Sequence, residues 1–210
     1  MKKSNLVIGL LVVAVVVLSV KIAFFTGNAA TSVDPSVAVI DNIMTRTSIR
    51  AYQDKPVEDE KVQQLLKAGM AAPTAVNKQP WCFIVVKKRE LLQQLADSLP
   101  YAKMLTQAPL AIVVCGDLTK ALPEEGYWTQ DTSAATENIL LAAHGLGLGA
   151  VWTGVYPRRD RVKAVTEILR LPGNIIPLNV IPVGYPAESP VPKDKWKPEN
   201  VHYDAWDATN

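Results

Sequence analysis

Hydrophobic positions change their period several times along the chain, and each change marks an element. Residues 6–20 are apolar with Ser19 as the one polar interruption, and after Lys21 the run resumes with Ile22, Ala23, Phe24 and Phe25. Counted to Phe25 the stretch is 20 residues, the length with which an α-helix crosses a bilayer when a lysine near its end reaches to the headgroups. This predicts a membrane segment over residues 1–25, a short tether over 26–35 and one folded domain over 36–210. Lys2 and Lys3 precede the run, which orients the N-terminus inward and anchors the domain outside the cytoplasm. The competing reading is a cleaved export signal with Gly27-Asn28-Ala29 as its small-residue site, which would leave a secreted or periplasmic domain.

Within the domain, the Ala/Val/Ile-rich stretch 36–44 predicts a first helix. After Pro56, the positions Val57, Val62, Leu65, Leu66, Ala68 and Gly69 keep a helical spacing up to the Ala71-Ala72-Pro73 break. Residues 81–86 (WCFIVV) predict a buried strand, and Leu91, Leu92, Leu95 and Leu99 a helix that Pro100 closes, with a short helix over 101–107. A second strand is expected at 110–115, then a long Ala/Leu-rich helix at 131–148 that stops at Gly145, Gly147 and Gly149. Residues 150–153 read as strand, 160–169 as helix and 176–183 as strand, where Pro177 and Pro182 predict a sheet edge or a bulge. Helices and strands interleave without a break, which argues for an α+β or α/β sandwich. The tail from Pro186 carries Trp196, His202, Tyr203 and Trp206; such rings are expected to be buried against a surface, as on a partner subunit.

Composition fits a single domain with a sizeable core: 210 residues, 49% of them hydrophobic, and a net charge of +2. The basic surplus belongs to the N-terminus, because removing Lys2, Lys3 and Lys21 from the 22 basic residues leaves 19 against 20 acidic ones. That balance gives no support for nucleic-acid binding. Cys82 and Cys115 each lie in an apolar run and read as core filling. Two thiols without a His/Asp cluster make no metal site.

Conventional catalytic patterns are scarce. His144 and His202 lack HExxH-like spacing, and GxSxG, GxxxxGK[ST] and GxGxxG are absent, so hydrolase, kinase and ordinary Rossmann dehydrogenase readings lose support. Three other segments stand out. Arg46-Thr47-Ser48-Ile49-Arg50 sets two guanidinium groups and two hydroxyls within five residues, a donor set suited to a phosphate monoester and, taken alone, equally a solvated helix-capping surface. Residues 72–81 (APTAVNKQPW) form a small, amide-rich loop entering a strand, which suits a planar heterocycle or a plain turn. Residues 145–154 (GLGLGAVWTG) run from a glycine-rich helix end through a short strand, which offers main-chain N–H groups to a flat ligand or permits tight helix–sheet packing.

In this order the three segments resemble the nitroreductase family of FMN-dependent oxidoreductases, over nearly all of residues 40–206. The resemblance implies an α+β sandwich with a mixed central sheet flanked by helices, an extended C-terminal tail, a homodimer, and FMN as cofactor. It implies that Arg46, Ser48 and Arg50 hold the FMN phosphate and the adjacent ribityl or ring region, with Thr47 acting through its main chain. Pro73, Thr74, Ala75 and Asn77 match a loop that approaches the flavin from the neighbouring subunit, and Trp152, Thr153 and Gly154 match a backbone segment beside the pyrimidine edge and N5. No side chain is implied as a catalytic acid or base. A late basic residue completes the phosphate site in the family; Lys195 is the first match here and Lys197 the second. The implied reaction passes electrons from NAD(P)H or another reduced donor to a small acceptor such as a nitroaromatic or quinone. A dehalogenase-like reaction on the same flavin, and a membrane-tethered flavin-binding module without turnover, are the alternatives.

Overall fold

The computed structural model describes residues 34–122 and 126–206. The expected membrane segment, residues 1–25, therefore lies outside the described residues, among which no helix is long and apolar enough to cross a membrane. The chain divides into two compact units, residues 1–41 and 42–210. Of the first, the described part is the start of helix α1 (Pro35–Thr45), capped where the Asp34 carboxylate accepts from the Ser36 N–H at 2.9 Å and its hydroxyl at 2.7 Å.

The second unit is built on five strands, β1 (Trp81–Val86), β2 (Leu110–Asp117), β3 (Gly149–Ala150), β4 (Thr153–Gly154) and β5 (Ile175–Gly184). Their order is β1-β2-β5-β3, with β4 also paired to β5. Every pairing is antiparallel, in place of the expected mixture of directions, because the chain reverses between each strand and its spatial neighbour. Helices α2 (Asp59–Met70), α3 (Arg89–Ser98), α4 (Tyr127–Gly145) and α5 (Arg159–Leu169) complete the α+β sandwich.

The alternation of side chains along β2 explains the two layers. Leu110, Ile112 and Val114 share one face with Ile181 and Val183 of β5, under Val62 and Leu65 of α2 and Ile139 and Leu140 of α4. Ala111, Val113 and Cys115 share the other with Val180, under Leu92 and Leu95 of α3 and Val165 of α5. A strand covered on both faces has no polar side to show, which is why residues 110–115 read as one continuous apolar run. Each buried Leu, Ile or Val contributes about 1.5–3 kcal/mol.

Three sequence expectations are corrected. Helix α4 begins at Tyr127 and ends at Gly145, not at 131 and 148. Its polar first turns persist because the hydroxyls of Thr132, Ser133 and Thr136 donate to carbonyls one turn back, and Gly147, at φ 71°, turns the chain out of the helix. The single strand expected at 150–153 is two short ones, interrupted at Val151-Trp152. Finally, β5 is central and not an edge. Pro182 is tolerated because its carbonyl accepts from the Tyr52 hydroxyl at 3.2 Å. Its nitrogen faces that same side, where the neighbouring strand is interrupted and no N–H is required. The bulge is present beside Pro177, where the register of β2 on β5 shifts between Val114 and Cys115.

Beyond β5 the chain forms a short ladder with residues 50–53 and then an extended tail. Tyr52 bridges to Pro186, the Gln53 N–H donates to the Tyr185 carbonyl at 2.9 Å, and the Ala187 N–H to the Ala51 carbonyl at 2.9 Å. Trp196, Tyr203 and Trp206 are 70%, 84% and 80% exposed, so the tail does not bury its rings within one chain.

Candidate functional site

The Arg46–Arg50 segment leaves α1 and is fixed along its backbone. The Ile49 N–H donates to the Ala150 carbonyl at 3.1 Å, and the Ile49 carbonyl accepts from the Tyr52 hydroxyl at 2.7 Å. Ile49 is buried so closely on Gly149 that a Cβ there would lie 2.5 Å from its Cγ2. The Arg50 N–H donates to a Glu188 carboxylate oxygen that also accepts from the Ala51 N–H at 3.2 Å. Burial first, and the nearby Glu188 charge second, push the Tyr52 phenol far above its ordinary pKa, so it stays a proton donor to both carbonyls.

With Ile49 in the core, Ser48 is half-buried and Arg50 is exposed. Arg46 is also half-buried, and its Nε lies 3.6 Å from the Glu137 carboxylate on α4. Next to it, the Thr45 hydroxyl and His144 Nε2 are 2.9 Å apart. Arg50 makes no ion pair among the described residues, so one guanidinium is free and the other is shared with a half-exposed carboxylate.

The 152–154 segment continues from the strand that holds Ile49. The Thr153 side chain is buried and donates to the Val180 carbonyl. Gly154 pairs with Asn179 in β5, and its carbonyl accepts from Arg161 Nη1 at 3.0 Å. Asn179 is itself held in the core, where its side-chain NH2 donates to the Thr136 hydroxyl oxygen at 2.9 Å. A Cβ on Gly154 would meet nothing nearer than Trp152 Nε1 at 3.9 Å, and Trp152 is 37% exposed. This backbone is rigid behind and open in front, which fits a flat ring laid over Gly154.

The 73–79 loop is ordered by its own contacts. The Ala75 N–H donates to Asp131 on α4 at 2.8 Å, the Gln79 N–H to the Thr74 hydroxyl at 3.1 Å, and the Gln79 amide to the Asn77 side chain at 2.8 Å. Val76, Asn77 and Gln79 all have φ near 50°; a β-branched residue in that region is a genuine outlier, held in place by its surroundings. Pro73, Val76 and Asn77 are exposed. Among the described residues no hydrogen bond or ion pair joins this loop to residues 46–50 or 152–154.

The structure thus joins two of the three predicted segments by a hydrogen bond and ties the third to helix α4, which also carries the Arg46 partner Glu137. Lys195 is exposed in the tail, seven residues past Glu188, and makes no ion pair among the described residues. Sequence reasoning missed Tyr52, Glu137, Glu188 and Arg161. Glu137 carried a signal as a charge inside an Ala/Leu-rich helix; Glu188 and Arg161 carried none, because their partners are backbone groups. For a phosphate ester joined to a flat heterocycle the donor set fits: two guanidiniums and a hydroxyl lie on one segment, hydrogen-bonded to the strand that leads to Gly154.

Known proteins resemble this chain along most of its length. The Nitroreductase family model matches residues 43–100 and 93–185. A protein of Methanothermobacter thermautotrophicus named as an NADH dehydrogenase/NAD(P)H nitroreductase is 48% identical over 169 residues, covering 80% of this chain and 87% of the relative. A crystal structure under the same name from Bacteroides thetaiotaomicron superposes with a TM-score of 0.77 at 50% identity, over 80% of this chain and 98% of that one. The NADPH:FMN oxidoreductase of Vibrio harveyi in complex with NAD+ superposes with a TM-score of 0.72 at 27% identity, over 82% and 80% of the two chains. Since the family model spans most of the folded unit, and close relatives match along four-fifths of the chain, the protein belongs to the nitroreductase family.

Proposed function

We propose that the protein is an FMN-dependent oxidoreductase that takes electrons from NAD(P)H or another reduced donor and passes them to a small acceptor such as a nitroaromatic or quinone. The observation that carries this reading is the 3.1 Å bond from the Ile49 N–H to the Ala150 carbonyl. It sets a phosphate-type donor segment beside a backbone segment that is fixed behind and open over Gly154.

FMN, when bound, supplies reversible two-electron chemistry at its ring. Arg46 and Arg50 balance the phosphate charge, Ser48 adds a hydroxyl and Thr47 its main-chain N–H. Trp152, Thr153 and Gly154 present backbone groups to the pyrimidine edge and N5. The Thr153 hydroxyl donates to the Val180 carbonyl and the Gly154 carbonyl accepts from Arg161, so the segment that would face the ring is already fixed and would need little reorganisation on binding FMN. Gly154 keeps the approach clear for donor and acceptor in turn.

Pro73, Thr74, Ala75 and Asn77 serve the site of a second copy in a homodimer, which accounts for an ordered loop without contacts to the two segments of its own chain. The tail brings Lys195 to the phosphate as a mobile point charge, with Lys197 next to it. An N-terminal membrane anchor would hold the domain outside the cytoplasm, where a membrane electron carrier becomes the natural donor, since nicotinamide nucleotides are mainly cytoplasmic.

The test is an absorbance spectrum of the detergent-purified full-length protein, followed by anaerobic addition of NADH and then NADPH. The expected result is a flavin spectrum that bleaches and recovers over many turnovers when an acceptor is added. A flavin spectrum unmoved by either nucleotide shifts the donor to a membrane carrier. No flavin spectrum, even after FMN is supplied, overturns the reading.

A further inference from the structure

Cys82 of β1 and Cys115 of β2 are direct partners in the antiparallel register. Directly opposed residues project to the same face, with Cα atoms about 4.5–5.5 Å apart, inside the 4.4–6.8 Å range that a disulfide usually spans. Both are free thiols, Cys115 fully buried and Cys82 half-buried, in the layer between the sheet and helices α3 and α5. Interaction with the neighbouring Cys115 thiol holds the Cys82 thiol below its ordinary pKa, while the same interaction and burial push Cys115 far above. The chemistry proposed above uses neither sulfur, and among the described residues they belong to no metal-binding group.

We propose that Cys82 and Cys115 are a disulfide-forming pair that closes into a cross-strand cystine when the domain meets a protein or low-molecular-weight disulfide. The half-buried Cys82 thiolate attacks one sulfur of that co-reactant, whose S–S bond breaks and releases one thiolate. The Cys115 thiol then loses its proton and attacks the Cys82 sulfur, expelling the second thiolate. Two cysteine thiols are oxidised by two electrons, one external disulfide is reduced to two thiols, and the two protons released are taken up by the departing thiolates. The order follows from access: the half-buried Cys82 can be reached from solvent, whereas the fully buried Cys115 lies directly opposite it on the neighbouring strand. Closure requires no change of register and covalently fixes the start of β1, immediately after the 73–79 loop. An exported domain is where such an oxidant is present.

The test is independent of the flavin assignment. Full-length protein in detergent is equilibrated anaerobically in glutathione buffers of graded oxidised-to-reduced ratio, quenched in acid, alkylated and weighed by intact-mass and peptide spectrometry. The expected result is that both alkylatable thiols disappear together in one two-electron transition, with a linked Cys82–Cys115 peptide and no retained glutathione. Cys115→Ser should instead retain glutathione on Cys82, because the resolving sulfur is gone. Two thiols still alkylated in the most oxidising buffer, or a wild-type protein that accumulates the Cys82 glutathione adduct, would overturn the proposal without recourse to the variant.

Discussion

Arg46 is the residue on which the phosphate reading bears most heavily, because its guanidinium is positioned before any ligand arrives. Its side chain is 18% exposed and its Nε lies 3.6 Å from Glu137, so it is partly withdrawn from water without being fully neutralised. A phosphate entering beside it gains charge-assisted contacts worth about 1.5–3 kcal/mol each, whereas Lys195 has to be ordered from an exposed tail first. Arg46→Ala is therefore expected to weaken FMN binding by roughly 10- to 150-fold while leaving the two core layers intact. Fluorescence titration of the apoprotein with FMN measures it; an unchanged dissociation constant would remove Arg46 from the site. Ile49, three residues along the same segment, contributes by the opposite means. Its side chain binds nothing, yet its burial on Gly149 and its hydrogen bond to Ala150 place its neighbours Ser48 and Arg50.

At the scale of elements, that junction is the tightest packing in the site. A Cβ on Gly149 would sit 2.5 Å from Ile49 Cγ2 and 2.7 Å from its Cβ, and a β-branched side chain pinned between β3 and Tyr52 has no free rotamer into which to retreat. Gly149→Ala should lower stability by about 1–3 kcal/mol and weaken FMN binding as well, since the 46–50 segment must move off β3. Thermal unfolding with and without FMN reads both effects; a variant that melts and binds like the parent would show that the junction is looser than the structure describes. The same junction marks where the sequence was legible and where it was not. Buried strands such as β2 announce themselves as unbroken apolar runs, and the ordered segments 46–50, 72–81 and 145–154 carried the resemblance to the family whose model matches the chain. The break between β3 and β4 was hidden because Val151 and Trp152 are as apolar as their neighbours, so hydropathy does not register a change of pairing. Pro177 and Pro182 left edge and bulge open: the bulge lies beside Pro177, and the side that Pro182 faces is set by a distant partner, the Tyr52 hydroxyl, which no local pattern contains.

For the whole molecule, the proposed site calls on a second copy of the chain. The 73–79 loop is ordered yet makes no bond to the other two segments, and Trp196, Tyr203 and Trp206 stand almost wholly in solvent. Rings of this kind bury about 150–250 Å² each. Two tails exchanged between copies would therefore bury roughly 900–1,500 Å² through those rings alone, close to the size of a standard protein interface. The tail also leaves the phosphate segment at a fixed point, since the Glu188 carboxylate accepts from the Arg50 and Ala51 N–H groups. Its departure is thus fixed at Arg50 and Ala51, next to the proposed phosphate contacts. A chain ending at Ser189 keeps Glu188 and loses Lys195 together with the three rings. It should form a dimer with a dissociation constant at least about tenfold higher and bind FMN more weakly, whereas Glu188→Ala in the full chain should loosen the root of the tail and spare the rings. Light scattering over a dilution series, in detergent, separates the two variants. If the full-length protein is monomeric at all concentrations, or the shortened chain associates as tightly as the parent, the tail has no partner subunit to cover and the 73–79 loop serves no second site.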